Sequence, residues 1–174
     1  GYRFNDAANE LHGFIWGEFC DWYLEFSKNA VYGEGPSKST AQATLVGMLS
    51  TIARLMHPIM PFLSEELWQR LPASVRIDGG ETVMKAPYPR VSDFPDDETI
   101  LVEVSFIQAV IQSIRRLRSD MELSARIPLK IVASGDKAGI LLNHLGALQH
   151  LCGIEEVSML DGERPSQSAT TVVE

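Results

Sequence analysis

Cysteine is almost missing from this chain. The 174 residues hold two, Cys20 and Cys152, far apart and each inside an apolar helical pattern. That excludes a disulfide framework and any Cys-x-x-Cys redox or metal motif, and both read as reduced core cysteines of a cytoplasmic protein. Histidine is nearly as scarce. His12, His57, His144 and His150 contain no His-x-x-x-His pair, and His144 and His150, six apart on one expected helix, do not share a face, so no metal site is expected. No apolar run reaches membrane-spanning length and no secretory signal is present, so no membrane partner is expected. The chain opens at Gly1 without an initiator methionine, and is expected to be an excised piece of a longer protein. Basic residues are also in short supply: 15 Lys and Arg against 23 Asp and Glu leave a net charge of −8, which excludes a general nucleic-acid binder. The shortage is uneven. Arg115, Arg116, Arg118, Arg126 and Lys130 crowd together with only Asp120 and Glu122 between them.

What is present is a core. Hydrophobic residues make up 45% of the chain, enough for one domain or one and a half. Phe4, Ala8, Leu11, Ile15, Phe19, Trp22 and Phe26 recur at spacings of three and four, which predicts a helix over about 3–29 with one buried face. Tyr23 lies off that stripe. Gly33-Glu34-Gly35-Pro36-Ser37-Lys38-Ser39-Thr40 is a turn, not a phosphate-binding loop, because the spacing is wrong and no strand precedes it. A second helix follows over 40–56, with Leu45, Met48 or Leu49, Ile52 and Leu55 or Met56 inward.

The next stretch, Met56-His57-Pro58-Ile59-Met60-Pro61-Phe62-Leu63-Ser64-Glu65-Glu66-Leu67-Trp68, is a corner. Pro58 disfavours helical geometry at His57, and Pro61 suits the first turn of a new helix. Glu65 and Glu66 read as an acidic first turn that suits the positive helix end. His57 is expected to bond a helix-end carbonyl, and Leu63, Leu67, Leu71 and Trp68 to face a bundle core. Residues 72–98 are irregular, a strap lying back over the helices with a short extended piece near Thr82–Pro89. Beyond it a helix is expected over 100–118, its N-terminus favoured by Asp96, Asp97 and Glu98. Leu101, Val104, Ile107 or Gln108, Ile111, and Ile114 or Arg115 form its inner face. Strands are expected at 129–133, 156–160 and 169–173, with a helix over 138–151 between the first two.

Two motifs carry a resemblance. The corner, His57-Pro58-x-Met60-Pro61-Phe62-x-x-Glu65-Glu66-Leu67-Trp68, resembles the bend in the anticodon-binding domain of class I aminoacyl-tRNA synthetases of the valine, isoleucine and leucine group. Phe19-Cys20-Asp21-Trp22-Tyr23, about 40 residues upstream, is similar to the run typical of the valyl-tRNA synthetase family, as is the histidine before Pro58. Ile114-Arg115-Arg116-Leu117-Arg118 followed by Ile127-Pro128 resembles the region after the bundle in that family. The structural marks of the resemblance are thus Phe19, Asp21, Trp22, His57, Pro58, Pro61 and Trp68. It is specific over about 3–72 and looser over 98–160.

The resemblance implies a mainly α fold: a helical bundle of the anticodon-binding type over 1–72, a connecting strap over 73–97, and a small α+β unit over 98–174 with about three strands. It implies a tRNA-binding fragment of a synthetase that joins valine to its tRNA with ATP and magnesium. The fragment itself would carry no cofactor and no catalytic residue, since the His-x-Gly-His signature, the Lys-Met-Ser-Lys-Ser loop and the editing domain are absent. Ser37-Lys38-Ser39 is not that loop. Partners would be the valine tRNA and the rest of the synthetase chain, an upstream catalytic domain and a downstream helical hairpin, in a cytoplasmic monomer. Candidate tRNA contacts are Arg115, Arg116 and Arg118, because a guanidinium matches phosphate with two parallel hydrogen bonds; Lys28 and Arg3 are weaker. Two alternatives stay open: the same region of an isoleucine or leucine enzyme, and an acidic helical scaffold that binds protein.

Overall fold

The computed structural model describes residues 3–76, 80–124, 126–163, 165–166 and 168–173. It divides into two compact units, Gly1–Pro95 and Asp96–Glu174. The expected mainly α fold, a bundle followed by a small α+β unit, is what is found.

The first unit is built on three helices. Helix α1 (residues 4–32) runs unbroken through three stretches, Phe4–His12, Gly13–Tyr23 and Leu24–Tyr32. The middle stretch is a π-helix, and the Leu24 N–H reaches back five residues to the Phe19 carbonyl. Gly13 and Gly17 lie inside it, and glycine lowers the cost of leaving regular α geometry. Its wider turn moves the side chains around the axis. Ile15 and Phe19 are buried and Tyr23 follows them inward, packing on the core of Ile15, Phe19, Ile52 and Met56. Phe19 and Tyr23 stack at 5.5 Å, and Trp22 and Phe26 stack separately at 5.8 Å. The α-helical reading that put Trp22 on the buried stripe and Tyr23 off it is therefore corrected. Phe4, at the start of the expected stripe, is 75% exposed.

Helix α2 (Pro36–Met56) begins after Gly35, whose φ of +85° is left-handed and suits a residue without a Cβ. Its second half is enclosed, burying Ile52, Ala53 and Met56 together with Ser50, Thr51 and Arg54. Helix α3 (Pro61–Arg70) starts at the proline as expected. At the corner the Met56 carbonyl accepts from both Ile59 N (2.9 Å) and Met60 N (2.8 Å), closing the turn. Trp68 is fully buried with Ala53, Leu71 and Val83. Burial of side chains this large contributes roughly 1.5–3 kcal/mol each, and Val83 brings the strap into the same cluster. The strap carries short turns at Ala73–Val75, Val83–Lys85 and Val91–Asp93, with no strand among its described residues.

In the second unit, helix α4 (Glu98–Asp120) is capped by Asp97, whose carboxylate accepts from Thr99 N (3.1 Å) and Ile100 N (3.2 Å). Phe106, Ile107, Val110, Ile111, Ile114 and Arg118 form its buried face; Leu101, expected inward, is 61% exposed. Strand β1 (Leu129–Ala133) and strand β2 (Ile154–Met159) pair in parallel, Ile131 opposite Val157 and Ala133 opposite Met159. Helices α5 (Ala138–Asn143) and α6 (Leu145–Cys152) make the crossover that a parallel pair requires. The single helix expected there is broken at His144. Its imidazole is bonded to Glu103 at 2.7 Å, and its carbonyl accepts from Ala147 N and Leu148 N of α6. The third strand expected at 169–173 does not form: these residues have no ladder, and Val172 is 83% exposed. No helix among the described residues is long and apolar enough to cross a membrane.

Candidate nucleic-acid interface

The last two turns of α4 hold the densest basic cluster, and they separate its arginines by face. Ile107, Ile111, Ile114 and Arg118 follow at spacings of four, three and four, so Arg118 inherits the buried stripe. It is 7% exposed. Its Nη1 donates to the Ser124 carbonyl (2.9 Å), and its Nη2 to the carbonyls of Ile127 (2.7 Å) and Cys152 (2.7 Å), with Gly153 O at 3.5 Å. Its Nε is buried with no hydrogen-bond partner among the described residues. Cys152 and Gly153 end α6, so the cation also meets the negative end of that helix. The phosphate contact expected of Arg118 is therefore corrected: this guanidinium is committed to backbone oxygens inside the unit.

Arg115 and Arg116 are exposed. Arg116 lies 4.0 Å from Asp120, and both side chains are more than half exposed, so the pair contributes little. The charge of Arg115 is felt at the Cys152 thiol. Burial pushes that thiol up, and Arg115 and Arg118 partly oppose the rise. Lys130 faces Glu156 across the sheet at 2.8 Å; hydrogen bonding and charge from Glu156 raise the amine, and the same contacts lower the carboxyl.

The weaker candidates sit on the acidic first helix. Arg3 is paired with Asp6, and Lys28 with Glu25 at 2.5 Å. Asp21 is exposed, Trp22 half-buried and Phe19 buried.

The corner is a lock. Ser64 Oγ donates to the Pro61 carbonyl (3.1 Å) and lies 2.9 Å from His57 Nδ1. The hydroxyl has one proton, already given to Pro61, so Nδ1–H of His57 is the donor. The carbonyl expected as its partner is reached only through Ser64. Pro58 and Pro61 are exposed at the turn, while Trp68 Nε1 donates to Gly80 O at 3.1 Å. Glu65 is past the first turn of α3 and has another task. Its carboxylate accepts from Thr82 Oγ1 (2.6 Å), Val83 N (3.2 Å) and Gln69 Nε2 (2.6 Å), tying the strap to α3. Desolvation pushes this carboxyl up, but the three hydrogen bonds and the nearby His57 outweigh it and hold it below its usual value. Glu66 instead pairs with Arg70 on the surface.

Sequence reasoning missed Arg54. It is 7% exposed and donates to Pro87 O (3.1 Å), Thr51 Oγ1 (3.2 Å) and Ser50 O (3.4 Å). Burial lowers its guanidinium below the usual value, with Asp93 opposing. The signal was a single cation inside the apolar run Ile52-Ala53-Arg54-Leu55-Met56.

Among the described residues no three His, Cys, Asp or Glu side chains are placed to hold a metal ion.

Residues 1–133 match the family model described as the anticodon-binding domain of tRNA ligase. The chain is 37% identical over 176 aligned positions to a valine–tRNA ligase of Syntrophotalea carbinolica, covering 98% of this chain and 19% of that protein. It is 40% identical to one of Carboxydothermus hydrogenoformans (82% of this chain, 16% of that protein), and 36% identical to one of Thermotoga maritima (99% and 19%). The chain thus spans about a fifth of the length of these relatives. With the corner, the bundle and the following helix all inside the matched span, the chain belongs to the family of anticodon-binding domains of tRNA ligases.

Proposed function

We propose that this chain is the anticodon-binding part of a valine–tRNA ligase, and that its task is to bind the valine tRNA for a catalytic centre located elsewhere in a longer protein. The observation that carries the reading is the family match over residues 1–133, reinforced by valine–tRNA ligase relatives that align with nearly the whole chain. On this reading the bundle and its strap form the recognition module, and the second unit is an accessory α+β piece. Arg115 and Arg116, exposed on α4, supply phosphate contacts, with Lys28 and Arg3 as minor ones. The parent protein would be a cytoplasmic monomer that activates valine with ATP and magnesium. This chain alone would be inactive in that reaction, since its sequence carries neither the His-x-Gly-His signature nor the Lys-Met-Ser-Lys-Ser loop.

The test is binding of the chain to a valine tRNA transcript and to the same transcript with its anticodon exchanged, at several salt concentrations. Tighter binding to the native anticodon, weakening with salt, is the expected result. Equal, salt-insensitive binding to both would count against it. ATP–pyrophosphate exchange by the chain alone would overturn the assignment of catalysis to another part of the protein.

A further inference from the structure

The corner between α2 and α3 turns large apolar side chains outward. Phe62 is 90% exposed, and Ile59, Met60 and Leu63 are exposed beside it. A single exposed apolar residue is ordinary on a protein surface, but four within five positions make a patch. From Leu55 to Ser64 the chain carries no Asp, Glu, Lys or Arg, although charged residues make up 22% of the whole. The next charges are engaged: Glu65 is bonded to the strap, and Glu66 pairs with Arg70. Aromatic and methionine side chains with no charge among them are the composition of an interface core. The patch is also held in shape. The Met56 carbonyl accepts from Ile59 N and Met60 N, the Met60 carbonyl accepts from Ser64 N at 3.1 Å, and Ser64 Oγ lies 2.9 Å from His57 Nδ1. Ser64 and Trp68, on the inward face of α3, are fully buried. Phe62 lies about 200° around the helix from Ser64, so the core that holds Trp68 cannot also take Phe62.

We propose that this corner, with Phe62 as its anchor, is where the bundle docks on an apolar surface of the catalytic part of the ligase. This rests on the ligase reading above. The chain covers 19% of the Syntrophotalea carbinolica relative, so roughly four-fifths of a protein of that kind lies outside it. A tRNA held by the bundle reaches a catalytic centre there only if the bundle is mounted in a fixed place. RNA itself does not suit the corner, because a phosphate backbone is met by cations. Arg54 is buried against Pro87 O, and Arg70 is paired with Glu66. An apolar protein surface suits it, since a patch already fixed in shape loses little freedom on docking and a large aromatic side chain is the usual anchor.

The experiment compares Phe62→Ser in two settings: this chain alone, and the whole Syntrophotalea carbinolica ligase carrying this chain in place of its own aligned part. In the chain alone the substitution should leave the unfolding midpoint and the affinity for a valine tRNA transcript unchanged, because an exposed side chain has no folded-state contacts to lose. In the whole ligase the bundle should unfold as a separate, earlier transition. There kcat/KM for aminoacylation should fall about tenfold or more, the factor expected for removing a large side chain from a buried contact. Valine-dependent ATP–pyrophosphate exchange, which needs no tRNA, should keep its rate. If the unaltered hybrid aminoacylates and Phe62→Ser changes neither its unfolding nor its aminoacylation, the docking surface is refuted and the ligase reading survives. If the unaltered hybrid exchanges pyrophosphate but does not charge tRNA, both fail. A loss of tRNA affinity in the chain alone would make the corner an RNA contact instead. Self-association of the chain that Phe62→Ser abolishes would make a second copy the occupant. Either result overturns the proposal.

Discussion

Glu65 shows how one side chain holds two segments of the molecule. Two of the three hydrogen bonds its carboxylate accepts, from Thr82 and Val83, connect α3 to the strap; the third comes from Gln69 on α3 itself. Its folded-state carboxyl lies below the ordinary 4.5. A depressed carboxylate contributes stability that is present above that ordinary value and is lost as pH falls through the folded one. Glu65→Gln retains an oxygen acceptor but not the charge, and is expected to cost about 1 kcal/mol at pH 7. Urea unfolding at a series of pH values checks this: the gap between the two proteins should close below the ordinary carboxylate range. A gap that stays constant with pH would show that the charge at Glu65 is not what holds the strap. Arg54 works in parallel from α2, donating to Pro87. Neither role was legible locally. Glu65 looked like a helix-start residue because two acidic side chains follow a proline, and its partners lie 17 and 18 residues further along the chain.

At the scale of elements, both the ends of the helices and the winding of α1 shaped the outcome. Asp97 caps α4 as its sequence position suggests. The other end is less ordinary. Leu123 N bonds to the Arg118 carbonyl at 2.8 Å, a helix-terminating reversal that places Glu122 at φ +54°. Glycine is the usual occupant of such a position, and a side chain there costs about 1 kcal/mol. Glu122→Gly is expected to raise stability by about 0.5–1 kcal/mol, read as a higher urea midpoint with an unchanged slope. A lower midpoint would mean that the Glu122 side chain makes a contact outweighing its backbone strain. The π stretch of α1 is the larger departure. Counting at 3.6 residues per turn assigned Trp22 to the core. A segment bonded five residues apart brought Tyr23 there instead, and hydrophobic spacing cannot reveal that change of period. On α4 the same counting, carried one step further along the stripe, would have buried Arg118, because position 118 continues the line through 107, 111 and 114.

For the molecule as a whole, charge is the constraint. A net −8 repels any polyanion, so binding to RNA has to come from a local basic surface set against that field. The five basic residues between 115 and 130 are one buried clamp, one cross-strand partner and three exposed arginines. The last three reach the surface. Duplex DNA, which shares the phosphates but not the loop architecture of tRNA, is therefore expected to compete severalfold more weakly than tRNA at about 0.15 M salt. Competition titration reads this directly. Equal competition would reduce the basic surface to a non-specific one.

By itself the sequence determined the helices, the proline corner, the parallel-strand segments and the family, since each follows from short-range spacing, from proline's fixed geometry or from motifs carried by neighbouring residues. The tertiary structure alone decided which charged groups are surface and which are scaffold. Arg54 and Arg118 are buried because carbonyls from distant segments converge on them, Glu65 is a tie because the strap returns to it, and Tyr23 displaces Trp22 because α1 changes its winding. Each of these depends on what the rest of the chain brings to a residue.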